Sequence, residues 1–128
     1  MSTRPEAGGS FERYAPAVMD HFLNPRNTGT LGDATHRATV ENPACGDMVT
    51  LSLRVERGRI AAARARTFGC AAAIASTSML TELLTGMTVE EASRLRNTDV
   101  VRKLGGLPDD KVACSVVAEQ AVRAVFAP

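Results

Sequence analysis

The sequence has no block of basic residues, no hydrophobic run long enough to cross a bilayer, no closely spaced cysteine pair, no internal repeat and no low-complexity stretch. Each absence removes a class of function. Fifteen basic residues stand against fourteen acidic ones for a net charge of +1, and the arginines are scattered from Arg4 to Arg123, so no nucleic-acid footprint is expected. The apolar run around Cys70 is too short for a spanning helix, which argues against a membrane protein. Residues 1–9 are small and polar with no apolar stretch behind them, so a secretory leader is not expected and a cytoplasmic location is. Cysteine is scarce. There are three, an odd number, and in a chain with no export signal they should stay reduced rather than form a disulfide framework. Twenty-four residues separate Cys45 from Cys70 and forty-three separate Cys70 from Cys114, which matches no short zinc-finger spacing. A thiol or metal role becomes the question.

What is present points to one α+β domain. With 128 residues and 45% apolar content the chain can bury one core of ordinary size. Residues 1–10, with Pro5, Gly8 and Gly9, read as a flexible tail, and residues 11–128 as the single domain. Tyr14, Val18 and Phe22 recur at four-residue spacing and predict a helix over 11–23, ended by Asn24-Pro25. Val49, Leu51, Leu53 and Val55 alternate with Thr50, Ser52, Arg54 and Glu56, the pattern of a strand with one wet face. Arg57-Gly58 supplies a tight turn into a returning strand over 60–67, and 35–41 supplies a third strand. The remainder reads as helix: 70–84 stopped by Gly86, a short helix opened by the capping box Thr88 to Glu91, another capped by Asn97 and ending at Gly105-Gly106, and a last one from the Pro108 region to about Phe126. A small three-stranded antiparallel sheet with helices packed on it follows.

Three thiols and one carboxylate could do chemistry. Cys45 lies in the turn Asn42-Pro43-Ala44-Cys45-Gly46-Asp47, where proline and glycine can expose a sulfur, and Gly46 lets the backbone bend until Cys45 and Asp47 face one point. Cys70 falls where the last strand becomes a helix, and unpaired N–H groups there favour a thiolate. Cys114 sits in the first two turns of the final helix, an accessible position, with Lys111 three residues earlier to favour the anion. The plainer reading stands beside this one. A cysteine in an alanine-rich chain can equally be a small buried hydrophobe, and Val117, Ala121 and Val125 continue the Cys114 stripe along an ordinary core face. Asp47 can be a turn residue alone. His21 and His36 read as surface or hydrogen-bonded residues rather than ligands.

Several motifs in one order carry a resemblance across 11–126. Tyr14-Ala-Pro-Ala-Val-Met-Asp20-His21-Phe-Leu-Asn24-Pro25-Arg26-Asn27 comes first, followed by Asn42-Pro43-Ala44-Cys45-Gly46-Asp47. Phe68-Gly69-Cys70-Ala-Ala-Ala-Ile-Ala75-Ser76 comes next, and Leu107-Pro108-Asp-Asp-Lys111-Val-Ala113-Cys114-Ser115 with Ala118-Glu119 completes the set. Together they resemble the iron–sulfur cluster scaffolds of the IscU and NifU N-terminal type. The resemblance implies a small antiparallel sheet with helices packed on it. It also implies that Cys45, Asp47, Cys70 and Cys114 hold a transient [2Fe–2S] cluster, or zinc in the resting protein.

Two departures from the family pattern bear on function. Ala113 stands where typical members have histidine, as in the SufU branch, which works as a zinc-dependent sulfur acceptor; the insertion usual in that branch has no counterpart between Gly86 and Leu107. Asp109 and Asp110 replace Pro-Val in the segment that chaperones recognise, which weakens the case for a chaperone partner. The expected partners are a cysteine desulfurase and acceptor apoproteins. The desulfurase would pass persulfide sulfur to Cys114 while iron enters at the Cys45, Asp47 and Cys70 side. Soft thiolates suit iron–sulfur or zinc and the harder carboxylate makes the site leaky, as a scaffold that releases its product requires. The alternative is a sulfurtransferase whose zinc is structural and whose Cys114 turns over persulfide without housing a cluster. A metal-free interaction module with buried cysteines is the third reading.

Overall fold

The computed structural model describes residues 13–43 and 45–127. The expected tail and the first residues of the expected 11–23 helix lie outside them. The elements run α1 (Pro16–Leu23), β1 (His36–Asn42), β2 (Asp47–Glu56), β3 (Arg59–Phe68), α2 (Ala71–Leu84), α3 (Val89–Ser93), α4 (Asn97–Lys103), a 3-10 turn (Asp109–Lys111) and α5 (Val112–Val125). The three strands form an antiparallel sheet in the order β1-β2-β3. This is the sheet and helix arrangement expected from the alternation and capping signals.

Local chemistry explains the joints. Arg57 and Gly58 both have positive φ, 54° and 79°, the backbone of a two-residue hairpin turn whose twist matches the strands it joins. Thr88 and Glu91 make the reciprocal capping box at the start of α3, with Glu91 N–H donating to Thr88 Oγ1 at 3.0 Å and Thr88 N–H to Glu91 Oε1 at 2.9 Å. Three details differ from expectation. Helix α1 begins at Pro16, so Tyr14 precedes it, because proline fits the first helical position, where no intrahelical donor is needed. Asn97 is the first residue of α4 rather than its cap; its N–H is taken by Glu119 Oε1 at 2.7 Å, while Arg96 N–H donates to Asp99 Oδ2. A 3-10 turn absorbs Asp109–Lys111 before α5 begins.

One face of the sheet carries Val49, Leu51, Leu53, Ala63 and Ala65, and α2 and α5 pack against it. Leu80, Leu84, Val117, Ala121 and Val122 close that core, with small residues on α2 letting the helix approach the sheet. Helix α1 packs on α2 through Val18 and His21. The opposite face is not uniformly wet, as the alternation suggested, because Ser52 is fully buried. Thr28 bridges to Ala65 on β3 and the chain then crosses to β1 at the far edge. On the way Arg37 donates to Leu31 O and to Ser52 Oγ, and Arg54 pairs with Asp33, so this loop covers the middle of the face. No helix among the described residues is long and apolar enough to cross a membrane.

Candidate metal centre

The β1–β2 hairpin, the start of α2 and the start of α5 meet at one end of the sheet. In the hairpin turn the N–H groups of Cys45 and Gly46 both donate to Asn42 O, at 3.1 and 2.8 Å. Gly46 takes a φ of 70°, the bend that brings Cys45 and Asp47 round to the same side. The turn is tied to α5 by Asn42 Nδ2, which donates to Ala113 O at 3.1 Å. That bond delivers the loop thiol to the helix thiol, and Cys114 Sγ lies 2.9 Å from Cys45 Sγ. Cys45, Asp47 and Cys114 each offer a ligand atom within 4.8 Å of the others. Cys70, the residue that caps α2, lies outside this group of three but near enough to Cys114 to act on it electrostatically. All three cysteines are free.

Asp47 is the group whose state is least comfortable. Its side chain is buried, at 1% exposure. Oδ1 accepts the Cys70 N–H at 3.1 Å, while Oδ2 has no hydrogen-bond partner among the described residues. Burial raises the carboxyl's pKa, and the Cys70 N–H and the Lys111 ammonium pull the other way. A buried carboxylate with one oxygen left without a donor, grouped with two sulfurs, has the chemistry to bind a cation. Gly69 makes this placement possible. A Cβ there would lie 2.8 Å from Asp47 Cγ and closer still to Oδ1, so only glycine leaves room for the carboxylate.

Cys114 departs from its sequence-based reading. It is buried, at 3% exposure, not accessible. Burial pushes its thiol far above the ordinary range, and the neighbouring Cys45 and Cys70 add to the shift because each would repel a second thiolate. Lys111 does not reverse this. It sits at the end of the 3-10 turn, near enough to Tyr14, Cys70 and Cys114 to feel their charge, and Tyr14 is the largest contributor to its raised pKa. The α5 stripe therefore does both jobs: its lower part is core, and its first turn presents a sulfur to Cys45 and Asp47.

The histidines stand elsewhere. His21 is buried between α1 and α2, with Nδ1 2.7 Å from Ser78 Oγ and Nε2 3.5 Å from Glu82 Oε1. His36 packs its ring edge against Phe126, the centroids 5.3 Å apart. Neither joins the ligand group around Cys45. Three contributors escaped sequence reasoning: Gly69, Asn42 and Tyr14, the last lying close enough to Cys70, Cys114 and Lys111 to feel their charge. Gly69 could have been suspected, since a glycine at a strand-to-helix junction signals a close approach by another chain segment.

Residues 13–127 match the family model described as the NifU-like N terminal domain. The chain belongs to this family. Among its relatives, the iron-sulfur cluster assembly scaffold protein IscU 1 of Archaeoglobus fulgidus is 48% identical over 110 residues, which cover 86% of this chain and 72% of that protein. IscU of Aquifex aeolicus is 46% identical over 108 residues, covering 83% and 68%. The iron-sulfur cluster assembly enzyme IscU of Drosophila melanogaster is 44% identical over 118 residues, covering 89% and 76%. A crystal structure of a putative scaffold protein for the SUF system from Fervidobacterium islandicum AW-1 superposes with a TM-score of 0.72 over 91% of this chain and 99% of that one, at 22% identity. A NifU-like N-terminal protein from Brucella abortus gives 0.61 over 88% and 82%, at 23% identity. At that identity these structures speak for the shared fold alone.

Proposed function

We propose that this chain is a scaffold on which iron and sulfide are joined into a [2Fe–2S] cluster for delivery to acceptor apoproteins, with Cys45, Asp47, Cys70 and Cys114 as its ligands. The observation that carries the reading is the convergence of Cys45, Asp47 and Cys114 within 4.8 Å, the buried Asp47 carboxylate having one oxygen without a hydrogen-bond partner among the described residues. Thiolate sulfur is a soft donor suited to iron–sulfur centres and to zinc, so the donor set fits both. In the resting protein zinc is held by these residues, which removes the mutual repulsion of the thiolates and the cost of the buried carboxylate. Sulfur arrives from a cysteine desulfurase. Cys114, as its thiolate, attacks the outer persulfide sulfur and the donor cysteine leaves as its thiolate; two equivalents of a free thiol such as cysteine, oxidised to the disulfide, then release the sulfur as sulfide and return Cys114 to its ligand role. Because Cys114 is buried, the turn carrying Cys45 has to move aside for this step. Asp47, the hardest of the four donors, is the ligand that lets the product go.

Anaerobic incubation with ferrous iron, cysteine and a pyridoxal-phosphate desulfurase tests the reading. A scaffold develops sulfide-to-iron absorption in the visible range with stoichiometric acid-labile sulfide. One observation favours a second reading, a zinc-dependent sulfur acceptor: Ala113 stands immediately before Cys114, where a histidine would add an exchangeable ligand. Such a protein keeps its zinc under the same conditions, accelerates desulfuration and stays colourless.

A further inference from the structure

Beside the ligand cluster, the outer edge of β3 carries a surface that the proposed chemistry leaves unused. Arg64, Arg66 and Phe68 alternate along one face of the strand. Phe68 is 56% exposed, one of two large apolar side chains so presented among the described residues, and it precedes Cys70 by two positions. The Arg66 guanidinium lies 5.8 Å from the centre of its ring, holding cation and aromatic together. Neither Arg64 nor Arg66 joins an ion pair among the described residues, unlike Arg54 on β2, which is held by Asp33 and Glu56.

Round the same edge the surface deepens into a cavity of about 220 Å³ whose wall includes Pro25, Ala65, Arg66 and Ile74. Ile74 is one helical turn from Cys70, its N–H donating to Cys70 O at 3.0 Å. Arg26 also borders the cavity but is already paired with Asp20 at 2.6 Å and with Glu82 at 3.9 Å. The surface thus offers an exposed aromatic, a mainly apolar socket large enough for one side chain, and the two guanidinium groups of Arg64 and Arg66 without a carboxylate partner among the described residues, all leading to the half-buried Cys70. Arginine and aromatic anchors around a socket are the chemistry of a protein contact, and the excess of cationic groups selects an acidic partner.

We propose that this edge is the docking surface for an acidic acceptor apoprotein, which seats an apolar side chain between Pro25 and Ile74 and sets its carboxylates against Arg64 and Arg66. The proposal rests on the scaffold reading, but docking is measured without loading any cluster. The probe is the apo form of a strongly acidic [2Fe–2S] ferredoxin, fluorescently labelled, titrated with the metal-free chain and followed by anisotropy; cytochrome c serves as a basic counterpart of similar size. The ferredoxin binds, its affinity falls as salt is raised, and the basic protein does not bind. Arg64→Glu/Arg66→Glu weakens binding about tenfold, and Phe68→Ser weakens it at low and high salt alike. These exposed changes leave the thermal melt in place, and Ile74→Ala supplies an independent test of the socket. No binding by the wild type, equal binding of the basic protein, or an unchanged affinity in the double arginine variant overturns the proposal. The anaerobic assembly assay, run separately on the same variants, reports on the scaffold reading: colour without docking sinks this surface alone, and docking without colour sinks the scaffold alone.

Discussion

Gly69 and Asp47 are fitted to one another: the carboxylate of Asp47 occupies the space that a side chain at position 69 would need. The same carboxylate accepts the N–H of Cys70, so the strand-to-helix junction and the hairpin are joined through a single ionisable group. Gly69→Ala should therefore cost about 1–3 kcal/mol of stability, as overpacking does, and lower zinc affinity. Adding Asp47→Ala to that variant should recover much of the lost stability, since the clash is chiefly with the carboxylate. Denaturant melts of the two single variants and the pair measure the coupling, and simple additivity would contradict the arrangement.

Asp47→Asn should stabilise the metal-free protein, by roughly 1 kcal/mol, because it removes a buried charge with one unpartnered oxygen while the amide oxygen can still accept from Cys70. It should weaken zinc binding at the same time. Opposite movements of the apo melting temperature and of the zinc affinity are the signature. Asp47→Ala should in turn lengthen the life of a bound cluster, read as a slower transfer half-time to an acceptor apoprotein.

Alkylation should separate the three thiols. Burial raises the Cys114 pKa, and the Cys45 and Cys70 thiols raise it further, so in the metal-free protein Cys114 should react with iodoacetamide at least about tenfold more slowly than Cys45 or Cys70. Peptide mass spectrometry over a time course gives the order. Zinc should protect all three, and protection of only one or two would remove the unprotected residue from the ligand set.

His21 sets a dependence on pH. Burial lowers its pKa, and the Arg26 cation lowers it further against the opposing pull of Glu82 and Asp20. The unfolded chain, with a histidine of the ordinary value near 6.5, then binds more protons than the folded one as pH falls. The stability tied to His21 is complete above that pH and is lost progressively below it, down through the depressed folded-state value. Urea midpoints between pH 7.5 and pH 5 should fall, and His21→Gln should flatten the decline; a variant with an undiminished slope would remove His21 as its cause.

The order of elements was legible because short-range rules decided it. A period of two in Val49, Leu51 and Leu53, the turn at Arg57-Gly58 and the Thr88 to Glu91 box each work within a few residues, and the backbone obeys them locally. Tyr14 escaped such rules, since its spacing to Val18 and Phe22 fits a helix that Pro16 actually begins. Ser52 escaped them as well, because its burial comes from a loop that crosses the sheet some twenty residues earlier in the chain.

The sequence by itself determined the set of candidate donors and the strand-turn-helix frame that carries them, since residue identity and local backbone preference need no distant partner. Tertiary structure decided that Cys114 is buried against Cys45, that Asn42 reaches Ala113, and that Asp47 rests on the bare Cα of Gly69. Burial, desolvation and close approach are properties of segments brought together from far along the chain, and only packing of the hairpin against α2 and α5 creates them.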